Sequence, residues 1–281
     1  MNNPTYREAL NWASSHLVEE SVDQSAPRFI LMMRHNWTTT ELLLHYSKRM
    51  QASEWQLFQD DIARLKQFEP AQYIVGKEIF YGRGFAVSPA VLIPESETEE
   101  LVEWVLTEFT NDEPLRVLDL GTGSGVIGIT LKLERPNWHV TASDISSEAL
   151  GVATQNAQRL NADIHFVQSD LFENLVGVKF DLIVTNPPYI GQQELDAMDE
   201  QVLQYEPDVA LFADHQGMGF YDKLFAQIQH VLTKDGQLFG ETGYRQEHAI
   251  KTAITANYPN AIVETRHDIN DQMRMVRVQN F

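Results

Sequence analysis

A four-residue turn, Asn186-Pro187-Pro188-Tyr189, carries the groups with the clearest potential for chemistry. The two prolines supply carbonyl acceptors but no backbone N–H, so they add no competing donors. The Asn186 amide oxygen is a further acceptor, and Tyr189 can stack on a flat group. The turn can therefore hold a planar –NH2 group by both hydrogens and direct a weak nitrogen nucleophile at an electrophile. Because Asn and Pro are also ordinary turn residues, a plain strand-ending turn after Phe180 to Thr185 is the alternative.

A glycine-rich loop earlier in the chain is the candidate binding site for the molecule that carries the electrophile. Residues Arg116 to Leu120 are predicted to form a strand, Gly121-Thr122-Gly123-Ser124-Gly125 follow, and Val126 to Glu134 have a helical pattern. Glycines permit tight turns and close ligand approach, and a helix N-terminus offers free N–H groups. Such a unit opens a doubly wound nucleotide-binding fold. Gly123-x-Gly125-x-x-Gly128 also fits the dinucleotide fingerprint, so the glycines alone do not select a cofactor.

Two acidic residues favour S-adenosylmethionine over a dinucleotide as the ligand of this loop. Asp119 lies two residues before the first glycine, where a carboxylate would repel a pyrophosphate but suits the ammonium of a methionine moiety. Asp144 ends the next predicted strand, about 20 residues on, where an acid accepts hydrogen bonds from ribose hydroxyls. Asp144 suits both cofactors, and a helix N-cap before Ser146 to Leu160 is its alternative role.

A third loop, Ser169-Asp170-Leu171-Phe172, follows the predicted strand Ile164 to Gln168. In a doubly wound sheet it reaches the same edge as the glycine loop. We expect it to hold an adenine ring, although Asp170 could equally be a loop cap.

Charge and composition limit the classes of partner. Asp and Glu outnumber Lys and Arg by 40 to 21, which gives a formal charge of −19. Proteins that grip nucleic-acid phosphates usually present a basic face, so no stable nucleic-acid binding is expected, whereas a basic protein partner is compatible. No cysteine is present and the nine histidines form no metal-binding pattern, so no metal is predicted. Lacking a secretion signal or about 20 consecutive apolar residues, the chain is expected in the cytoplasm and not in a membrane.

The sequence predicts two domains joined by a hairpin. Residues 1–72 are predicted to form a helical bundle, residues 73–93 a hairpin linker, and residues 94–281 the S-adenosylmethionine-dependent methyltransferase domain. Alternating strand and helix patterns in the last part predict an α/β fold with a doubly wound, mostly parallel, Rossmann-like sheet. The long segment 191–219, mostly irregular in pattern, follows the Asn-Pro-Pro-Tyr turn and can wall or cover a pocket.

Two capping-box spacings predict helix starts in the first domain, Thr38-x-x-Glu41 and Ser53-x-x-Gln56. The apolar residues that follow these starts are expected to form stripes facing the core. They are Leu42, Leu43, Leu44, Leu57, Phe58, Ile62 and Leu65.

These motifs together resemble the N5-glutamine methyltransferases of peptide chain release factors, the PrmC or HemK family. The resemblance covers nearly the whole chain. Many methyltransferases share the glycine loop, and Asn-Pro-Pro-Tyr indicates those that act on amide or exocyclic nitrogens. The stretch from Gln72 to Glu99 points to this family in particular. The matching segments are Gln72-Tyr73-Ile74-x-Gly76, Phe80-x-Gly82-x-x-Phe85-x-Val87, Val91 to Pro94, Glu97-Thr98-Glu99, Leu118 to Gly125, Asn186 to Ile190 and Glu206-Pro207.

The resemblance implies S-adenosylmethionine as cofactor and the glutamine of the Gly-Gly-Gln motif in class I release factors as target. It implies that Asn186, Pro187, Pro188 and Tyr189 hold the glutamine amide, with Asn186, Pro187 and Tyr189 as catalytic residues. Leu171 stands where the family often has an aromatic neighbour of adenine. In one departure, Glu95-Ser96 replace the family's Arg-Pro after Pro94, which reverses a charge near the pocket mouth. The implied cofactor contacts are Gly121, Thr122, Gly123, Ser124, Gly125, Asp144, Leu171 and Asn186.

Other functions share some of these features. An adenine-N6 or other nucleic-acid amine methyltransferase can use the same turn, but the charge of −19 counts against it. A methyltransferase that modifies a glutamine of a ribosomal protein is a second alternative, although Gln72 to Glu99 fits the release-factor branch better. A cofactor sensor or docking module without catalysis is a third, which the intact site motifs do not require.

Overall fold

A computed structural model describes residues 3–17, 23–111 and 113–281. The chain divides into two compact units. Met1–Lys77 and Asp199–Tyr205 form the first, called the helical unit below, and Glu78–Met198 and Glu206–Phe281 form the second, called the sheet unit. The segment 191–219 therefore contributes to both units. It also contains short helices, so the prediction that it is mostly irregular was wrong in part.

Helices dominate the first part of the chain, and strands and helices mostly alternate from residue 96 onward. The helices are α1 (Tyr6–Leu17), α2 (Ala26–His35), α3 (Thr39–His45), α4 (Ala52–Leu65), α5 (Ala71–Val75), α6 (Ser96–Glu108), α7 (Val126–Glu134), α8 (Ser147–Leu160), α9 (Glu200–Tyr205), α10 (Asp208–Leu211), α11 (Gly219–Gln227) and α12 (Glu247–Asn257). Two 3₁₀ turns span Gln192–Ala197 and Ile228–His230. The strands are β1 (Lys77–Phe80), β2 (Arg83–Ala86), β3 (Arg116–Leu120), β4 (His139–Asp144), β5 (Ile164–Gln168), β6 (Phe180–Thr185), β7 (Leu232–Glu241), β8 (Ile262–His267) and β9 (Met273–Gln279).

One capping box in the helical unit matches the sequence prediction and one does not. At α3, Thr38 Oγ1 accepts from the Glu41 N–H and the Glu41 carboxylate accepts from the Thr38 N–H, as predicted. Helix α4 instead begins after Gln51, whose N–H donates to Glu54 at 2.7 Å, so the assignment of Ser53 as a cap was wrong. The Glu54 carboxylate accepts from the Gln51 N–H, so the helix begins at Ala52 and Ser53 lies inside it.

The predicted leucine stripes are only partly buried. Leu42 lies in the core of the helical unit, as do Phe58, Ile62 and Leu65. Leu43, Leu44 and Leu57 are instead exposed by 51%, 69% and 45%. Three consecutive leucines cannot all face one side of a helix with 3.6 residues per turn, which explains the error for α3.

The sheet unit is a seven-stranded sheet of order β5-β4-β3-β6-β7-β9-β8. Strands β3 to β7 run parallel to one another, and β9 is antiparallel to both β7 and β8. The chain places β4 and β5 on one side of β3 and β6 and β7 on the other. The prediction of a doubly wound, mostly parallel α/β sheet is thereby confirmed. Ligands of such sheets bind outside the carboxyl ends of the strands where the order reverses.

Alternate residues of β3 enter two different cores, one on each face of the sheet. Val117 packs in the cluster that contains residues of α6 and α7, whereas Leu118 packs in the cluster with α11 and α12. The ends of β3 and β6 are joined by a hydrogen bond from Thr185 Oγ1 to the Leu120 carbonyl at 2.7 Å. The loops that follow these two strands therefore start from a rigid base.

No helix within the described ranges is both long and apolar enough to cross a membrane.

Candidate active site

A cavity of about 210 Å³ lies at the carboxyl ends of β3 to β6. The loops after all four strands contribute to its wall, which brings together residues that are far apart in the sequence. Of the residues predicted to form the site, those that line the cavity are Gly121, Thr122, Gly123, Ser124, Asp144, Leu171, Asn186 and Pro188.

Three of the predicted site residues have other surroundings. Gly125, Pro187 and Tyr189 are not among the described residues that line this cavity. Gly125 precedes α7 with φ of +86°, and a Cβ there would lie 2.7 Å from Ile129 Cδ1 and 3.2 Å from Ala153 Cβ. A glycine at this position thus permits close packing of the loop against α7 and α8.

The glycine loop is held by backbone hydrogen bonds. The N–H groups of Gly121 and Thr122 both donate to the Ser143 carbonyl at 2.9 Å, and Gly125 N donates to the Thr122 carbonyl at 2.8 Å. Gly123 has φ of +55°, and a Cβ built there would meet no atom within 4 Å. Beside Gly123 the backbone is therefore open to a ligand in the cavity.

Asp119 does not reach the cavity, so the predicted contact with a methionine ammonium was wrong. The side chain is fully buried, and its Oδ2 accepts from Thr122 Oγ1 at 2.5 Å and from Gly128 N at 2.8 Å. Its Oδ1 has no hydrogen-bond partner in the part of the chain that the structure describes. Burial raises the pKa of Asp119 to about 6, although the two hydrogen bonds act in the opposite direction. Asp119 supports the glycine loop from within the protein.

Asp144 lines the cavity at the end of β4 and is tied to the glycine loop. Its Oδ2 accepts from Gly123 N and its Oδ1 from Ser146 N, both at 2.9 Å. The N-cap of α8 is Ser146, whose Oγ accepts from Ala149 N, so Asp144 does not have the alternative role of helix cap. Burial raises the pKa of Asp144, and the N–H groups that it accepts from lower it.

Apolar residues form the wall around Leu171, which follows β5. Leu171 is nearly buried and has φ of +45°, an uncommon conformation for a residue with a branched side chain. The other apolar residues of the wall include Ala90, Val91, Leu92, Pro94, Ile145, Pro207, Val209, Ala210 and Phe220. Pro207, Val209 and Ala210 belong to the segment 191–219, which was expected to wall or cover a pocket. The other residues had no predicted site role, although Val91 to Pro94 lie in a family-like motif.

The Asn186 side chain is held by a threonine from a distant helix. Asn186 Nδ2 donates to Thr98 Oγ1 at 2.9 Å, and both residues line the cavity. Thr98 Oγ1 in turn donates to Glu241 Oε2 at 2.7 Å, at the end of β7. Tyr189 OH donates to Glu241 Oε1 at 3.0 Å. Two members of the Asn-Pro-Pro-Tyr turn are thus connected through one buried carboxylate.

Glu95 and two carboxyl groups that it influences, Glu241 and Glu206, have raised pKa values. Burial and the neighbouring Glu95 raise the pKa of Glu241 to about 7, although hydrogen bonds from Thr98 and Tyr189 act in the opposite direction. Burial and Glu95 likewise raise the pKa of Glu206 to about 7, and burial raises the pKa of Glu95. Such perturbed acids are typical of functional sites. Thr98 and Glu241 had no predicted role, and their only signals were the Glu97-Thr98-Glu99 motif and a strand end.

Comparison with known proteins identifies the family. A model described as the PrmC N-terminal domain matches residues 8–76, and one described as the methyltransferase small domain matches residues 98–205. The release factor glutamine methyltransferase of Enterococcus faecalis is 42% identical over 270 residues, which cover 96% of this chain and 97% of that protein. That of Lactococcus lactis is 44% identical over 226 residues, covering 80% and 83%.

The chain belongs to the family of release factor glutamine methyltransferases. It is accordingly an S-adenosylmethionine-dependent methyltransferase, as the resemblance implied. Among solved structures, the catalytic domain of hMettl16 in complex with MAT2A 3′UTR hairpin 1 has a TM-score of 0.58 at 17% identity, covering 79% of this chain and 81% of that one. At this identity the likeness concerns the fold alone, a Rossmann-like sheet.

The residues around the cavity fit the methyl donor of this family. The open backbone at Gly123 suits close approach of a ligand, Asp144 presents a carboxylate, and apolar side chains around Leu171 suit a flat ring. The lining is accordingly mixed, with apolar side chains beside the glycine loop, Asp144, Ser169 and Asp170.

Proposed function

We propose that this protein transfers a methyl group from S-adenosylmethionine to the side-chain amide nitrogen (N5) of the glutamine in the Gly-Gly-Gln motif of class I peptide chain release factors. The observation that carries the proposal is the orientation of Asn186 in the cavity wall. Its Nδ2 is engaged by Thr98 Oγ1 at 2.9 Å, so its Oδ1 is the atom left to accept from a substrate N–H. The side-chain amide of a glutamine has an –NH2 group that can donate to this oxygen.

On the cofactor side, we assign backbone contacts to Gly121, Thr122, Gly123 and Ser124, and a ribose contact to Asp144. Leu171 would pack against the adenine, and Asn186 would lie between cofactor and substrate. All seven residues line the cavity, which supports these assignments. Gly125 would act indirectly, because its lack of a Cβ lets the loop pack on α7 and α8.

On the substrate side, we assign Asn186 Oδ1 and the Pro187 carbonyl as acceptors for the two amide hydrogens. Pro188 would line the entry, and Tyr189 would pack against the amide plane. An amide nitrogen is a poor nucleophile because its lone pair is delocalised. Hydrogen bonds from both N–H groups increase electron density on nitrogen and fix the direction of the lone pair. Positioning of this kind can lower a barrier by roughly 7–11 kcal/mol.

When bound, S-adenosylmethionine would supply an electrophilic methyl carbon and leave as S-adenosylhomocysteine, which keeps the electron pair of the broken carbon–sulfur bond. The glutamine nitrogen, held by Asn186 Oδ1 and the Pro187 carbonyl, would form the new bond to the methyl carbon and release one proton to solvent. The proton can leave after attack, so the chain needs no strong base before the transfer. Residues Asn186 and Pro187 therefore bind and orient, and the surrounding apolar wall excludes water from the amide.

We further propose that the helical bundle of residues 1–72 docks the release factor. The match of residues 8–76 to the PrmC N-terminal domain supports a function specific to this family. In α3, Leu43 and Leu44 are exposed by 51% and 69%, and exposed apolar residues of this kind can serve in protein contacts. A Leu43→Ser/Leu44→Ser double variant should then raise KM for the release factor and leave kcat unchanged; an unchanged KM would remove this surface from docking.

The deciding experiment uses methyl-labelled S-adenosylmethionine with a class I release factor and its Gly-Gly-Ala variant. Label in the first protein and not in the second supports transfer to that glutamine. Equal label in both would place the methyl group elsewhere in the release factor. Label in neither, together with transfer to ribosomal protein or to adenine in nucleic acid, would support one of the alternative substrates.

A further inference from the structure

Glu241 is a fully buried carboxylate at the point where four parts of the sheet unit meet. It ends β7, and its two oxygens accept from Thr98 Oγ1 of α6 at 2.7 Å and from Tyr189 OH, after β6, at 3.0 Å. The Tyr221 hydroxyl of α11 donates to its backbone carbonyl at 2.7 Å. A buried carboxylate is costly unless its oxygens are hydrogen-bonded. Among the described residues, the side chains that donate to this one are Thr98, which also contacts Asn186, and Tyr189 of the Asn-Pro-Pro-Tyr turn.

The protons of this network have one consistent arrangement when Glu241 is ionised. A carboxylate can only accept, so the single hydroxyl hydrogen of Thr98 must point to Glu241. Thr98 Oγ1 is then left as an acceptor toward Asn186. Only the NH2 end of the Asn186 amide can meet it, and the carbonyl end is turned away from Thr98. The charge on Glu241 thus selects one of the two orientations of the Asn186 amide.

We propose that Thr98 and Glu241 are positioning residues, which hold the Asn186 amide with its oxygen toward the substrate and anchor Tyr189 by its hydroxyl. The inference rests on the proposed function, because it concerns the atom that accepts from the substrate amide. Neither residue touches the reacting atoms, since both act through Asn186 and Tyr189. Thr98 is 3% exposed and Glu241 is fully buried, so neither side chain is free to adopt another partner without repacking.

Protonation of Glu241 would break this arrangement. A neutral carboxyl group carries its own O–H, and Thr98 could accept from it and donate to Asn186 Oδ1, which turns the amide around. The groups that face Glu241 are Thr98, Tyr189, Tyr221, Glu95 and Arg274. Burial and Glu95 raise the pKa of Glu241 to about 7, whereas the two hydroxyl groups and Arg274 lower it. Turnover should therefore fall as the pH falls through about 7.

A pair of variants at Thr98 tests the proposal. Thr98→Val keeps the shape but removes both hydrogen bonds, and Thr98→Ser keeps the hydroxyl. We expect Thr98→Val to lower kcat by at least about 10-fold, because misplaced reactants lose much of the gain from positioning. S-adenosylmethionine affinity by calorimetry should stay within about threefold, and Thr98→Ser should restore most of kcat.

The matched control is Thr130→Val in α7. Thr130 is fully buried, and its hydroxyl has no hydrogen-bond partner among the described residues. The variant therefore removes a buried hydroxyl but leaves the hydrogen bonds of Thr98 and Glu241 intact. This variant should keep wild-type kcat. Equal kcat in Thr98→Val and wild type would overturn the role of Thr98, as would equal losses in Thr98→Val and Thr98→Ser.

Glu241→Gln tests the charge. At about pH 8 and saturating substrates, wild type has an ionised Glu241, whereas glutamine must donate to one of the two hydroxyl groups that it faces. We expect a severalfold lower kcat in the variant and no acidic limb near pH 7, where wild type has one. An unchanged acidic limb in Glu241→Gln would overturn the role of Glu241. If wild type itself methylated no release factor, the proposed function and not this inference would have failed.

Discussion

The two halves of the cavity wall are built in different ways. The glycine loop, Gly121 to Gly125, comes from contiguous residues between β3 and α7. Its own backbone groups make most of the hydrogen bonds that hold it, and the Asp119 and Asp144 carboxylates accept two others. The amide site around Asn186 is held by side chains, with Thr98 from α6 and Glu241 from β7. A donor with many contacts can be bound by repeated backbone groups, whereas a single –NH2 group requires one acceptor in one orientation. The difference predicts that substitutions in the two halves have different kinetic effects.

The largest effect is expected from Asn186→Ala. Loss of the Oδ1 acceptor should reduce kcat by about 100-fold or more, because one misplaced or missing positioning group can have this effect. S-adenosylmethionine affinity should change far less, since the glycine loop stays intact. Initial rates with saturating release factor, and calorimetry with the cofactor, separate the two quantities.

Asn257→Ala is the control for this variant. Asn257 is exposed at the end of α12, where its side chain donates to the Ala253 carbonyl, and kcat should be unchanged. Turnover of Asn186→Ala within a fewfold of wild type would remove Asn186 from the chemistry.

Asp144→Ala should affect cofactor affinity more than kcat, the reverse of Asn186→Ala. Hydrogen bonds to a charged group contribute about 1.5–3 kcal/mol, so loss of the carboxylate should weaken S-adenosylmethionine binding by about 10- to 100-fold. At saturating cofactor, kcat should fall much less. Asp163→Ala, at an exposed loop position just before β5, is the charge-matched control and should bind as wild type. If calorimetry gave the same affinity for Asp144→Ala and wild type, Asp144 would have no part in cofactor binding.

Asp119 makes the stability of the loop half depend on pH. Its pKa is raised from the ordinary 3.8 to about 6 in the folded protein, so the folded state binds more protons than the unfolded state between these values. The stability that this contributes is present at low pH and is lost as the pH rises through about 6. Relative to Asp119→Asn, wild type should lose roughly 1.4 kcal/mol of unfolding free energy between about pH 5 and about pH 7.5. Urea unfolding at both pH values measures this difference, and parallel pH profiles of the two proteins would contradict it.

The smallest effect concerns packing of the loop. Gly125→Ala and Gly177→Ala both place a side chain at positive φ, +86° and +82°, but only the first Cβ meets neighbouring atoms. Because the backbone strain is similar, the difference between the two variants reports the packing against Ile129 and Ala153. We expect Gly125→Ala to be less stable than Gly177→Ala by about 1 kcal/mol in urea unfolding. Equal stabilities would mean that the Ile129 side chain moves aside without cost.

Several features could be predicted from the sequence because short stretches specify them. The strand, glycine loop and helix from Arg116 to Glu134 follow from local pattern, and so does the Thr38 capping box. The errors arose where several local solutions compete. Ser53 was a plausible cap, but Gln51 and Glu54 form the helix start, and three adjacent leucines could not all face the core.

The sequence by itself determined the family, the doubly wound sheet and the residues at the ends of β3, β4 and β6, because strand and turn motifs are local and their order specifies the edge they reach. The tertiary structure alone decided that Asp119 points into the protein and not into the cavity. It also decided that Thr98 and Glu241 meet Asn186 and Tyr189, although 143 positions separate Thr98 from Glu241. Hydrogen bonds between side chains depend on distance in space and leave no periodic signal in the chain, so only folding brings these partners together.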